Sequence, residues 1–375
     1  MRLQCIPIAA ALSFPCLMVP VAAQQPVAAP KAQAHEVVLP VTVSNKRGEP
    51  DPGLTAGDFT LTDNGTQQTI TSLTQASGQP LQVGILVDTS SAMNRALDTE
   101  RKTAEKFVDL MLPADPSGAQ GGNQVFLVHF DREVELIRDL TGSRSALDSD
   151  LEQMGSTPAA QNGSGAETAS SGRQPRASGG ADLYDAIYLA SHDVMKPGQG
   201  RKVLVVFSQG VDLGSRESIN DAIDAAEHAH TIVYTIYFKG SEEPLRLRRG
   251  GVGNTYPDTY PYPGGYPGGY PGGYPGGYPG GIPTGGSTGM PPVDAKKNMA
   301  EIATRSGGRA FEAKRTDDLA GIYNQVAEDI EGQYLLTYTP SSFEADGSFH
   351  KTVLTAKTDD VTVTIPEGYY APEGK

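Results

Sequence analysis

Leu81-Gln82-Val83-Gly84-Ile85-Leu86-Val87-Asp88-Thr89-Ser90-Ser91-Ala92-Met93 is the stretch that decides the fold. Its first seven residues are almost continuously apolar, as expected of a parallel strand buried on both faces. A carboxylate stands where the run stops. Residues 95–112 then take helical spacing, with Ala96, Ala104, Phe107, Val108 and Met111 on one face.

The same alternation continues outward. Residues 125–130 read as a second buried strand and 134–137 as a short one beside it. A helix over 181–195, a strand over 203–207, a helix over 215–229 and a strand over 231–238 follow. Beyond these come a helix at 295–304, a strand at 309–312 and a helix at 319–331. Strands alternating with helices predict an α/β fold, doubly wound, with a mainly parallel sheet and helices on both faces.

Two inserts interrupt the pattern. Residues 155–180 are rich in Ser, Gly, Ala and Gln and read as a surface loop. Residues 240–292 contain five consecutive Tyr-Pro-Gly-Gly units, starting at Tyr262, Tyr266, Tyr270, Tyr274 and Tyr278. Each unit suits a type II turn and has no core to bury. A spacer is the plain reading. A multivalent sticker presenting Tyr faces is the other. Arg246, Arg248 and Arg249 beside the repeats read as a solvated basic patch.

The flanks are β-like. Val37, Leu39, Val41 and Val43 alternate, and Pro40 among them points to an edge strand. Asn64-Gly65 between two apolar runs marks a hairpin turn. Residues 36–77 thus form an N-terminal β module, and the α/β unit spans 81–331. Residues 332–375 carry further strands. Each flank alone has too few strands to be stable, so the two are expected to pack together.

Residues 1–23 read as a secretory signal. Arg2 is the only charge before Lys31, an apolar stretch runs over 8–21, and Val21-Ala22-Ala23 is a small-residue cleavage pattern. Pro7, Pro15 and Pro20 bound and break the stretch, so it is not read as a membrane anchor, and no later run is apolar enough to span. Residues 24–35 read as a disordered tether. Both cysteines, Cys5 and Cys16, fall within the signal. The exported chain would have none, which excludes disulfides, thiol catalysis and cysteine zinc sites. The formal charge of −14 argues against nucleic acid as a partner.

The strand ending in Val87-Asp88-Thr89-Ser90, together with Gly57-Asp58-Phe59, Leu183-Tyr184-Asp185-Ala186-Ile187, Val205 to Gly210, Ser306-Gly307-Gly308-Arg309-Ala310-Phe311, Gln333-Tyr334-Leu335-Leu336 and Gly368-Tyr369-Tyr370-Ala371-Pro372, resembles the von Willebrand factor A (vWA) fold. The likeness is to the vWA-related family abundant in acidobacteria. It spans nearly the whole chain outside the inserts. It implies a metal-ion-dependent adhesion site at the C-terminal ends of the strands: an Asp-x-Ser-x-Ser loop, a Thr from a second loop and an Asp from a third. Such a site would hold a hard cation through oxygen ligands and leave one position for a partner carboxylate.

The chain departs from that set. Asp88 and Ser90 match the first two positions, but Ala92 stands at the third. The Thr position falls at Ala181 and the last Asp at Gln209. Ser91, Asp182 and Asp212 are near in sequence and are the candidates to compensate. The reading is of a degenerate site with no cofactor, weak binding of Mg²⁺ or another divalent cation being the alternative. Asp88, Ser90, Ser91, Asp182 and Gln209 are then the candidate partner-binding residues.

No enzyme is expected. Gly285-Gly286-Ser287-Thr288-Gly289 fits a nucleophile-elbow pattern but has no strand before it. His228 and His230 are two apart, wrong for one helical face, and His129 sits in an apolar strand. The chain reads as an exported, non-enzymatic, adhesion-type binding protein, periplasmic, cell-surface or extracellular, with a protein or cell-envelope ligand. The alternative is a surface-matrix protein acting through its Tyr-Pro-Gly-Gly repeat.

Overall fold

The computed structural model describes residues 36–112, 122–155, 181–239 and 294–373. The stretches read above as signal and tether, the Tyr-Pro-Gly-Gly repeats and nearly all of both inserts lie outside the described residues. Along the chain come strands β1 (Val37–Asn45), β2 (Phe59–Asp63), β3 (Thr66–Gln68) and β4 (Ile70–Gln75). The turn between β2 and β3 uses Asn64 and Gly65, both at positive φ (47° and 77°), as a tight hairpin requires.

The central strands are β5 (Leu81–Asp88), β6 (Gln124–Phe130), β7 (Val134–Thr141), β8 (Arg201–Ser208), β9 (Ile232–Phe238) and β10 (Ala310–Ala313). They form one six-stranded sheet in the order β10-β9-β8-β5-β6-β7. Every pairing is parallel except that of β7, the antiparallel edge. All eight residues of β5 are buried, which is why the strand reads as an unbroken apolar run.

Helices cover both faces. Against one lie α1 (Asn94–Met111), α2 (Arg144–Gln153) and α6 (Leu319–Glu331), packed on Val83, Ile85 and Val87. Against the other lie α3 (Leu183–Leu189), α4 (Ile219–His228) and α5 (Ala295–Arg305), packed on Leu86, Leu204 and Val206. The α/β expectation, with a mainly parallel sheet and helices on both faces, therefore holds. Among the described residues no helix is long and apolar enough to cross a membrane.

Some boundaries differ from the sequence reading. The helix expected over 215–229 starts only at Ile219, because Ser218 and Asp221 form a capping box there. Residues 215–217 are instead tied to neighbouring loops: Ser215 Oγ donates to Asp212, and the amides of Arg216 and Glu217 donate to Asp185 Oδ1 at 2.9 Å. The helix expected over 181–195 begins at Leu183 and widens to π-helical hydrogen bonding over Ala190–Met195.

The last strands are β11 (Tyr334–Tyr338), β12 (Phe349–Ala356), β13 (Val361–Thr364) and β14 (Gly368–Tyr370). With β1–β4 they make two four-stranded sheets, β13-β1-β11-β4 and β14-β12-β2-β3. Val41, Val43, Leu61, Leu336 and Tyr338 fill the core between them. The edge-strand reading of Pro40 needs correction, since β1 lies inside its sheet. The strand divides its partners, though: residues 37–41 pair with β11 and residues 42–45 with β13. Pro40 sits in the half that pairs with β11 alone, where a missing N–H is tolerated.

The sandwich meets the α/β unit at Arg201. Its guanidinium donates to Gln333 Oε1 (3.2 Å) and Ala76 O (3.3 Å) and contacts Ile330 O at the end of α6. It thereby meets Ile330 O, one of the carbonyls that the end of α6 leaves free.

Candidate functional site

The chain leaves β5 for β6 on one side and later places β8 on the other. The strand order therefore reverses between β5 and β8. Open α/β sheets bind ligands outside the carboxyl ends of the strands at such a point. The registry pairs Val87 with Phe207 and so brings the next residues, Asp88 and Ser208, side by side.

Asp88 and Ser208 are both completely buried. Ser208 Oγ donates to Asp88 Oδ2 at 2.6 Å, and the amide of Ser90 donates to Oδ1 at 2.9 Å. Burial pushes the Asp88 carboxyl above its usual range, against the hydrogen bonds from Ser208, Ser90 and the Gln209 backbone. The Ser90 hydroxyl, itself buried, lies near the same carboxylate but lacks the geometry of a hydrogen bond. Ser208 Oγ also accepts from the amide of Gly210 at 2.9 Å. Gly210 is held at φ +73°, and a Cβ there would lie 2.8 Å from Ala295 O and 2.9 Å from Met299 Sδ, so the position requires glycine.

The other expected residues gather around this pair. Ala181 is buried, and its amide donates to Val211 O at 3.3 Å, so the loop after β8 runs beside it as a short parallel bridge. Asp182 is 8% exposed, and its amide donates to Asp131 O in the β6–β7 turn at 2.7 Å. Asp212 accepts from the Tyr184 amide and from Ser215, which fixes the start of α3. Ser91 is exposed and Gln209 half-buried. Thr89 joins the floor, its hydroxyl 3.2 Å from His129 Nδ1, and the other ring nitrogen of His129 meets Glu135 at 3.0 Å. Ser208 and Thr89 are members of this cluster to which the sequence reading gives no role.

Beside the apex a cleft of about 480 Å³ opens between the β6–β7 turn, α3 and the loop after β8. Arg132, Glu133, Asp182, Tyr188, Arg216 and Glu217 line it.

At the family's ligand positions the side chains present offer a hard divalent cation few oxygens. Such an ion needs about six oxygens and charge neutralisation. Both oxygens of the Asp88 carboxylate already accept from the protein, Asp212 accepts from Tyr184 and Ser215, and Asp131 follows directly on β6. Ala92 and Ala181 offer no side-chain oxygen, and Gln209 brings no charge. Among the described residues no group of three or more His, Cys, Asp or Glu side chains is arranged to hold a metal.

The fold is doubly wound α/β, with a mainly parallel sheet and helices on both faces. Solved structures with a similar fold include proximal thread matrix protein 1 from the mussel byssus, with a zinc-occupied MIDAS motif, at 12% identity and a TM-score of 0.44, over 72% of this chain and 50% of that one. A second is the vWF domain of the type V pili tip protein Mfa5 from Porphyromonas gingivalis, at 14% identity and a TM-score of 0.41, over 68% and 95%. A third is the pilus adhesin SpaC from Lactobacillus rhamnosus GG, at 11% identity and a TM-score of 0.40, over 88% and 47%. This chain thus spans about half the length of the byssus protein it resembles. No protein-family model matches the sequence, and no curated protein does.

Proposed function

We propose that this chain is an exported, non-enzymatic binding protein of the vWA type that engages a protein or cell-envelope ligand through its apical face without a metal ion. In this reading residues 1–23 are removed on export, residues 24–35 tether the folded part, and the Tyr-Pro-Gly-Gly repeat acts as a spacer. The contact surface comprises Ser91, Gln209 and Asp182 with the cleft beside them. Asp88 and Ser90 form the floor that holds the loops in place.

The hydrogen bond from Ser208 to Asp88 carries the reading. It gives the carboxylate an internal donor where a metal-dependent site would need it aimed at a cation. A buried acid with both oxygens engaged is also poorly suited to moving protons, which speaks against catalysis at this point. Calorimetric titration of the mature chain with Mg²⁺, Mn²⁺ and Ca²⁺ tests the metal-free part. The expected result is no saturable heat at millimolar ion, and tight binding lost in Asp88→Ala would overturn it.

The five repeat units favour a second reading, a surface-matrix role for the insert. Deleting residues 256–281 separates the two. Partner binding that survives the deletion but is lost in Ser91→Arg or Gln209→Arg supports the apical site. Surface association lost only with the deletion supports the matrix role.

A further inference from the structure

The end of α4 meets the β-sandwich at Glu227. This residue is 4% exposed, and neither carboxylate oxygen has a hydrogen-bond partner. It borders a cavity of about 20 Å³, enough for one water. Val38, Pro40, Gly368 and Tyr369 of the sandwich line this cavity opposite His230 and Ser306 of the α/β unit.

One guanidinium serves this seam. Arg305, at the end of α5, lies 3.6 Å from Glu227, 3.6 Å from Asp224 and 3.2 Å from Glu367 in the segment before β14. It also donates to Asn220 Oδ1 at 3.1 Å. Glu227 and Asp224 therefore share this cation with Glu367, whose other oxygen also accepts from Lys351 Nζ at 3.1 Å. Asp224 and Glu367 keep 44% and 36% of their side chains in solvent, which screens them, whereas Glu227 keeps 1%. A buried carboxylate with a shared cation favours its neutral form.

The other ionisable neighbours do not supply the missing charge. His228 is stacked on Tyr370, with ring centroids 3.7 Å apart, and burial pushes His228 and His230 down, aided by nearby lysines. Lys202 is mostly buried, with Nζ donating to Ala229 O at 3.1 Å, and burial lowers its pKa as well. Tyr369 on the cavity wall and Tyr370 beside it are both shifted upward by burial and stay neutral.

We propose that Glu227 is a proton-binding site that sets how firmly Arg305 ties the β-sandwich to the α/β unit. Protonated, Glu227 leaves the guanidinium to Glu367 across the seam. Ionised, it competes for the same guanidinium and draws it toward α4. Burial, opposed by Arg305, raises the carboxyl from 4.5 to about 7, so the exchange occurs around neutrality. The folded state holds the proton more tightly than the unfolded chain. The stability this gives is complete below pH 4.5 and lost as pH rises to about 7.

Two amides report on the seam: Glu367 N donates to Arg305 O and Thr352 N to Glu367 O, both at 2.9 Å. The test combines carboxyl-carbon NMR of glutamate-labelled full-length chain with native-state hydrogen exchange at these amides. The expected result is a Glu227 titration midpoint near 7 and, after correction for intrinsic exchange, about tenfold lower protection at pH 8 than at pH 6. Glu227→Gln should abolish the pH dependence of that protection. A midpoint between 4 and 5 would overturn the proposal, as would the same protection profile in both proteins. Should Glu227→Gln fail to fold, Glu367→Gln at the surface gives a second reading. Removing that negative charge should lower the Glu227 midpoint, and an unchanged midpoint counts against the shared guanidinium.

Discussion

Ser208 Oγ donates to Asp88 Oδ2 across 2.6 Å, and this bond closes the ends of two neighbouring parallel strands. Both residues are fully buried, so neither can exchange the other for water.

Ser208→Ala should therefore destabilise the chain. It leaves a buried carboxylate short of a donor, which costs about 1–3 kcal/mol. Urea unfolding at pH 7 measures this. The loss should exceed that of Ser91→Ala, whose exposed hydroxyl makes no comparable bond. Equal losses from the two substitutions would mean the Ser208–Asp88 bond contributes little.

Restoring the missing oxygens should create cation binding. The combination Ala92→Ser, Ala181→Thr and Gln209→Asp adds two hydroxyls and a carboxylate around Asp88. The triple variant should gain a Mg²⁺-dependent rise in melting temperature that the parent chain lacks. At a hundredfold excess of ion over Kd the stabilisation is about 2.7 kcal/mol. If the parent shows the same rise, its own donor set already suffices and the metal-free reading fails.

How far the sequence revealed this site depends on the range of each interaction. Asp88 was legible because it ends a run whose burial shows in its own residues. Ser208 was not, because its role follows from β8 lying beside β5 in the register that pairs Val87 with Phe207, a relationship across 120 positions. The same distinction governs the elements. Helix α1 shows a long apolar face and was readable, whereas α2 buries only Leu147 and Leu151 and gives too weak a period to detect. Strand β7 was read as four residues but runs to Thr141, because its outer half is polar and its extension is dictated by the ladder with β6. Glu100 was the least visible: a charged residue in a helix reads as solvated until the helix face is known.

Glu100 should make the protein less stable as pH rises. It is fully buried on α1 and accepts from Tyr323 Oη of α6, while its second oxygen has no partner. Burial raises its pKa from 4.5 to about 8. A raised carboxyl pKa means the folded state holds the proton more tightly, so this stabilisation is complete below pH 4.5 and lost progressively up to about 8. The slope is up to about 1.4 kcal/mol per pH unit in that window. Urea midpoints at pH 5, 6, 7 and 8 should fall steadily in the parent chain. In Glu100→Gln, which keeps an acceptor for Tyr323, they should fall less, leaving the share of the other raised carboxyls, Glu227, Asp329 and Asp88. Midpoints that climb with pH in both proteins would contradict the buried neutral acid.

Gly84→Ala tests whether the centre of the sheet is as closely packed as its registry implies. A methyl at this position would lie 2.3 Å from Phe126 Cζ and 2.5 Å from Leu204 Cδ2. Both neighbours are fully buried on the strands flanking β5, so neither side chain has open space to enter. Overpacking of this kind costs about 1–3 kcal/mol. The strain falls four residues before Asp88 on the same strand, so it should also reach the apex. The variant should unfold at lower urea and show chemical-shift changes in the amides of Ser90 and Gly210, which bond to Asp88 and Ser208. A fully stable Gly84→Ala would mean that β5 can shift against β6 and β8, and that the strand ends do not hold the site rigidly.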